Sequence, residues 1–114
     1  MAIQDAPSEI RGTVPFSAEL LSGEGPSVVK LLGELDLSTA PQLEACLEGL
    51  GADGASVRLD LSGLTFCDSS GISAMVTAAK RVRKRGGHLF IASPQPAVRS
   101  VLEITGLLDY LSAP

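Results

Sequence analysis

The residues best suited to chemistry in this 114-residue chain form one short run, Asp68-Ser69-Ser70-Gly71, in which two hydroxyls stand between a carboxylate and a glycine. Asp and Ser are preferred helix N-caps, because their side-chain oxygens accept the unpaired N–H groups of a first helical turn. A cap is the simpler reading of the run. The second reading is an exposed polar tip with a glycine that lets a partner approach closely. A phosphoryl group there would add about −1.5 to −2 charge and three acceptor oxygens. The positive end of a helix favours that charge while Asp68 opposes it, so the modification would change the surface more than the fold.

Other chemistry is sparsely provided for. His88 is the only histidine; it follows Gly87 at a predicted strand start, and no G-x-S-x-G elbow surrounds Ser69. Cys46 and Cys67, with that one histidine, make neither a disulfide framework nor a zinc site. Cys67 precedes Asp68, whose carboxylate opposes a thiolate, and is expected to be buried and unreactive. No catalytic residue, metal site or cofactor is expected. Lys80, Arg81, Arg83, Lys84 and Arg85 hold five of the nine basic residues. Cations in the last turns of a helix complement its negative end, and they are read that way rather than as a docking patch.

The elements that must position the Asp-Ser-Ser-Gly run follow from periodicity. The expectation is a flexible arm over residues 1–13 and one domain over 14–114. Phe16, Ala18 and Leu20 alternate with polar residues, Ser22-Gly23-Glu24-Gly25-Pro26 supplies a turn, and Val28 to Leu35 forms a second strand. Thr39 with Gln42 three residues on has capping-box spacing, and Leu43, Cys46, Leu47 and Leu50 give the following helix its apolar face. Val57, Leu59 and Leu61 make a short strand that Ser62-Gly63 breaks. Ile72, Met75, Val76, Ala79 and Val82 then repeat at helical spacing, predicting a helix from about Ser70 to Arg85 that Gly86-Gly87 stops. His88 to Ala92 is a strand, Pro94 and Pro96 open a third helix that ends at Gly106, and Leu107 to Leu111 is a short strand or helical turn. The order is β-β-α-β-α-β-α in an α/β domain with a small mixed sheet.

Thirteen acidic against nine basic residues give a net charge of −4, which disfavours direct binding of nucleic acid. No apolar run approaches the ~20 residues of a membrane-spanning helix. The start, Met-Ala-Ile-Gln-Asp-Ala-Pro, lacks a signal-peptide pattern, and a cytoplasmic location without membrane contact is expected.

Five blocks carry a family resemblance: Gly33-Glu34-Leu35-Asp36 with Ser38-Thr39-Ala40, Asp60-Leu61-Ser62-Gly63-Leu64, Asp68-Ser69-Ser70-Gly71-Ile72, Ala92-Ser93-Pro94-Gln95-Pro96-Ala97-Val98, and Thr105-Gly106-Leu107. In this order and spacing the chain resembles the STAS domain of bacterial anti-sigma factor antagonists from about Phe16 to Leu111. The resemblance implies the STAS fold, a small mixed sheet with helices packed mainly on one side, and a non-enzymatic partner-switching protein. It implies that Ser69 is phosphorylated by an anti-sigma factor that is itself a serine kinase, and that a PP2C-type phosphatase reverses the step. The unphosphorylated antagonist would bind the anti-sigma factor and release a sigma factor. Asp36, Asp68, Ser70, Gly71 and Ile72 would form the partner-binding surface around Ser69, on a monomer or weak dimer. The alternative is a STAS subunit of an ABC-type lipid-transport complex or another STAS partner-binding module; a co-purifying serine kinase or transporter ATPase distinguishes the two.

Overall fold

The structure is a computed structural model, which describes residues 14–21 and 25–112. The arm expected over residues 1–13 and part of the first turn lie outside the described residues. Four strands, β1 (Ser17–Leu21), β2 (Ser27–Leu35), β3 (Val57–Cys67) and β4 (Leu89–Ala92), form one sheet in the order β1-β2-β3-β4. β1 runs antiparallel to β2, with Leu20 opposite Val29, whereas β2, β3 and β4 are parallel. The parallel pairs are joined by helices α1 (Ala40–Leu47) and α2 (Ser69–Lys84), as crossover connections require, and α3 (Pro96–Ile104) follows the last strand.

One face of the sheet is sealed. Val29, Leu31 and Leu35 of β2 and Val57, Leu59, Leu61 and Leu64 of β3 are fully buried, whereas Lys30 and Leu32 are half-buried and Glu34 is exposed. The helices therefore pack mainly on one side. They contribute Leu43, Leu47, Met75, Ala79, Val82, Val98 and Leu102 to a single core. Removing each large apolar side chain from water contributes about 1.5–3 kcal/mol, so this face supplies most of the stability.

β3 departs from expectation, because Ser62-Gly63 does not end it and the strand continues to Cys67. Its pairing with β2 slips at two places, between Lys30 and Leu32 and between Gly33 and Glu34. At each slip β3 carries one more residue than β2, which is the signature of a β-bulge. Buried positions consequently advance by three, from Leu61 to Leu64 to Cys67, rather than by two. The two bulges carry the strand to the place where α2 begins.

The start of α1 differs from a capping box. Thr39 occupies the N-cap without a side-chain cap bond. Its hydroxyl instead accepts the Asp36 N–H at 2.9 Å and donates to the Glu34 carbonyl at 3.0 Å. Gln42 reaches the Phe16 carbonyl at 3.4 Å rather than folding back on its own helix. Local hydrogen bonding within the turn wins over the cap.

α2 ends as expected. Gly86 has φ of 94°, its N–H bonds the Arg83 carbonyl, and the Gly87 N–H bonds the Val82 carbonyl, which together make a Schellman stop. Arg81 Nη2 donates to the Leu47 carbonyl at 2.8 Å, and Arg83 lies 4.5 Å from the Tyr110 ring centroid. Two of the five clustered cations thus serve internal contacts. Leu107 to Leu111 forms a helical turn, and its Leu111 carbonyl accepts the Ile91 N–H at 2.7 Å, covering the free edge of β4.

Val76, expected among the core residues of α2, is only half-buried, while Ala78 is buried. The geometry of a 3.6-residue turn explains the exchange: Val76 lies about 100° around the axis from Met75 and Ala78 only about 60°. Met75→Ala is expected to lower stability by about 2–5 kcal/mol, and Val76→Ala by markedly less. Urea denaturation of the two variants checks the order.

Candidate functional site

The site is built where β2 and β3 end side by side. The Asp68 N–H donates to the Leu35 carbonyl at 3.1 Å, which carries the pairing one residue past the strands. Asp68 then turns extended, with φ of −102° and ψ of −172°, and becomes the N-cap of α2. Its Oδ1 accepts the Ser70 N–H at 2.9 Å and the Gly71 N–H at 3.2 Å. Both cap bonds are made by Asp68, so neither serine hydroxyl is needed for this task.

Ser69 is the first helical residue and is exposed, and Ser70 is half-buried. Gly71 and Ile72, grouped with them on sequence grounds, are both buried. A Cβ on Gly71 would lie 2.6 Å from Leu35 Cγ and 2.9 Å from Cys67 Sγ. The glycine therefore lets the sheet come close to the helix. Ile72 points into the same core. Both residues help to seat the first turn of α2.

Asp36 organises the neighbouring turn. Its carboxylate accepts the Ser38 hydroxyl at 2.7 Å, the Ser38 N–H at 2.9 Å and the Thr39 N–H at 3.1 Å. The Ser38 hydroxyl bond, followed by the backbone N–H groups, holds the Asp36 carboxyl below the usual aspartate range despite an opposing desolvation. The turn closed this way presents Leu37, which is 75% exposed. Asp36 thus acts on the site through the Leu37 loop.

A shallow groove of about 410 Å³ joins the two loops and is lined by Leu37, Ala40, Pro41, Glu44, Ser69, Ser70 and Ser73. The sequence reading identified Ser69 and Ser70 in this set but missed Leu37, Ala40, Pro41, Glu44 and Ser73. Leu37 carried a usable signal, an apolar residue inside a polar turn. The others reach the groove only through the packing of α1 beside α2.

Burial, and then the Asp68 charge, push the Cys67 thiol up to about 12, which keeps it protonated at neutral pH. His88 is exposed at the start of β4, where its N–H meets the Ser56 hydroxyl, on the edge of the sheet. Among the described residues no group of three metal-binding side chains assembles, and no helix is long and apolar enough to cross a membrane.

A model of the STAS domain family matches residues 17–113. The anti-sigma-B factor antagonist of Bacillus subtilis is 30% identical over 96 residues, covering 84% of this chain and 88% of that protein. Among solved structures, an anti-sigma factor antagonist from Mycobacterium paratuberculosis superposes with a TM-score of 0.75 at 28% identity, covering 85% of this chain and 83% of that one. The antagonist SpoIIAA in its unphosphorylated form gives 0.70 at 26% identity, covering 88% and 89%. Its phosphorylated form, described as a Bacillus cell fate determinant, gives 0.65 at 25% identity, covering 87% and 89%.

Two expectations follow from the site geometry. Ser69→Ala removes no cap bond and should change stability by less than about 1 kcal/mol, whereas Gly71→Ala drives a methyl into Leu35 and Cys67 and should cost about 1–3 kcal/mol; thermal and urea melts compare them. Asp36 is held ionised to lower pH in the folded chain than in the unfolded one. Its contribution is therefore present above the ordinary value of 3.8 and fades as pH falls through the lower folded value. The stability difference between wild type and Asp36→Asn should shrink as pH drops from about 5 through this range, as read from melts at each pH.

Proposed function

The chain belongs to the STAS domain family, and on that premise we propose that it is an anti-sigma factor antagonist switched by phosphorylation of Ser69. One observation carries the reading: an exposed serine stands at the first position of α2, facing a groove, while its neighbour Asp68 makes the cap bonds. A hydroxyl so placed is open to a kinase and is not needed to hold the helix. The names of the relatives support the same reading, as does the existence of SpoIIAA in unphosphorylated and phosphorylated forms.

In this account the chemistry belongs to the partners, and the chain is not an enzyme. The anti-sigma factor, acting as a serine kinase, binds the groove and brings the γ-phosphate of ATP to Ser69. The Ser69 oxygen attacks the phosphorus, its proton passes to a base on the kinase, and ADP leaves. A PP2C-type phosphatase hydrolyses the ester and restores the hydroxyl. Unphosphorylated protein occupies the anti-sigma factor and so releases a sigma factor. Asp68 is poorly placed as a base, since its carboxylate already accepts two backbone N–H groups of the helix.

Electrostatics explain why the modified form lets go without unfolding. The phosphate brings about −1.5 to −2 charge to a helix N-terminus, which stabilises it. Asp68 beside it and Glu44 in the same groove oppose it, and Leu37, Ala40 and Pro41 are apolar neighbours. A partner that packed against those apolar residues must now desolvate a phosphate, and nucleotide phosphates in the kinase repel it further. The fold persists while the contact surface changes.

The test compares wild type, Ser69→Ala and Ser69→Glu with the anti-sigma factor kinase of the same organism and ATP. Mass spectrometry should place a single phosphate on wild-type Ser69 and none on either variant. Calorimetry should find wild type and Ser69→Ala binding alike, and Ser69→Glu binding at least about tenfold more weakly. Phosphate on Ser70 would move the site by one residue. Equal affinity for wild type, phosphorylated protein and Ser69→Glu would refute the switch.

A further inference from the structure

The sheet has a second face that the Ser69 site does not use. Cα partners in adjacent strands share a face, and successive residues alternate between faces. Leu20, Val29, Leu59 and Ile91 make a row on the helix side. The rows on the opposite side are Leu21, Val28, Arg58 and Phe90, then Glu19, Lys30, Asp60 and Ala92. Beyond the first bulge, Leu32 lies over Gly63, where a Cβ would collide with it, and Phe66 stands beside Glu34. All these outer residues are half-buried or exposed, and Leu21 and Phe66 are each 47% exposed. A contiguous apolar patch edged by charges marks an interaction surface.

The two rows complement themselves. Turned over about an axis that runs along the strands between β2 and β3, the face meets a copy of itself with the strand order reversed. Leu21 then faces Phe90 of the second copy, Val28 faces the stem of Arg58, and Lys30 faces Asp60, each contact occurring twice. Within one chain Lys30 and Asp60 are neighbours in register but make no ion pair, Arg99 with Glu103 being the only one among the described residues. The edges of the sheet are already occupied. The Gln42 and Cys46 side chains of α1 meet the Phe16 and Ala18 carbonyls at 3.4 and 3.9 Å, and Leu111 covers β4. A second copy therefore fits against the face rather than the edge.

We propose that the outer face of the sheet docks a second copy of this chain, joined by two Lys30 to Asp60 ion pairs and two Leu21 to Phe90 contacts. Packed sheets lie about 10 Å apart with strand directions within about 30°, a spacing that Lys and Asp side chains from opposite copies span. The face is half charged, so the association is weak and concentration-dependent rather than obligate. Ser69 follows the end of β3 and starts a helix on the opposite layer. With the axis along the strands, both Ser69 residues therefore emerge at the same end of the dimer with their grooves open. The inference does not depend on the proposed function.

The experiment is sedimentation velocity on the full chain from about 10 µM to 1 mM. Wild type should move from the 11.7 kDa monomer toward twice that mass as concentration rises. Lys30→Glu and Asp60→Lys each set like charges against one another across the face, and each alone should weaken association at least about tenfold. Mixed in equal amounts they should associate within about threefold of wild type, because each copy carries the charge that the other lacks. Thermal melts verify that the variants fold. Asp60 Oδ1 also accepts the Ser62 N–H at 2.9 Å, so Leu21→Lys mixed with Phe90→Glu repeats the cross on the neighbouring row should Asp60→Lys not fold. Amide NMR shifts on dilution should cluster at Lys30, Leu32, Arg58 and Phe90. A monomer at every concentration would overturn the proposal, whether the Phe90 ring then touches residues 1–13 of its own chain or nothing. A dimer unaffected by the variants, or one whose shifts lie on α3, would overturn it as well.

Discussion

The close approach of α2 to the ends of β2 and β3 is the constraint on which the rest of the structure depends. It is possible because residue 71 lacks a side chain, since any Cβ there would collide with Leu35 and Cys67. It is fixed because Asp68 both continues the β2 pairing through its N–H and caps the helix through its carboxylate. One residue thus terminates a strand, starts a helix and makes the neighbouring serine dispensable for folding. The apolar face from Leu59 to Met75 then closes beneath this junction. Once that junction is set, Ser69 has no direction available but outward.

The same arrangement separates the packed core from the exposed groove. The buried residues of the junction, Leu35, Cys67, Gly71 and Ile72, carry the packing, whereas the exposed ones, Leu37, Glu44 and Ser69, line the groove proposed for the partner. A change at Ser69 therefore leaves the core untouched. The raised Cys67 thiol follows from this division, for it sits on the packing side within reach of the Asp68 charge and stays protonated. Asp36 lies at the boundary: its carboxylate shapes the turn, and the turn presents Leu37.

Much of this was legible in the sequence, because the relevant signals are local. The helix expected from about Ser70, the Gly86-Gly87 stop and the strand–helix alternation each depend on residues a few positions apart. What escaped depended on distant partners. Ser62-Gly63 reads as a turn in isolation, yet pairing with β2 absorbs it as a bulge and carries β3 on to Cys67. Thr39 and Gln42 have capping-box spacing, but Asp36 takes the first N–H groups and Phe16 takes Gln42. The packing of Leu35 and Cys67 against Gly71 is not visible in a linear motif. Glu44 and Ser73 join Ser69 only once α1 lies beside α2.

The central claim is that a phosphate on Ser69 rewrites a surface while leaving the fold as it stands. Amide NMR spectra of the protein before and after quantitative phosphorylation test it most directly. The account predicts shifts confined to the Asp36–Glu44 and Asp68–Ser73 segments, with the amides of β3, β4 and α3 unmoved and the melting transition still cooperative. Shifts spread through the core residues Leu59, Met75 and Leu102, or loss of the first turn of α2, would contradict it.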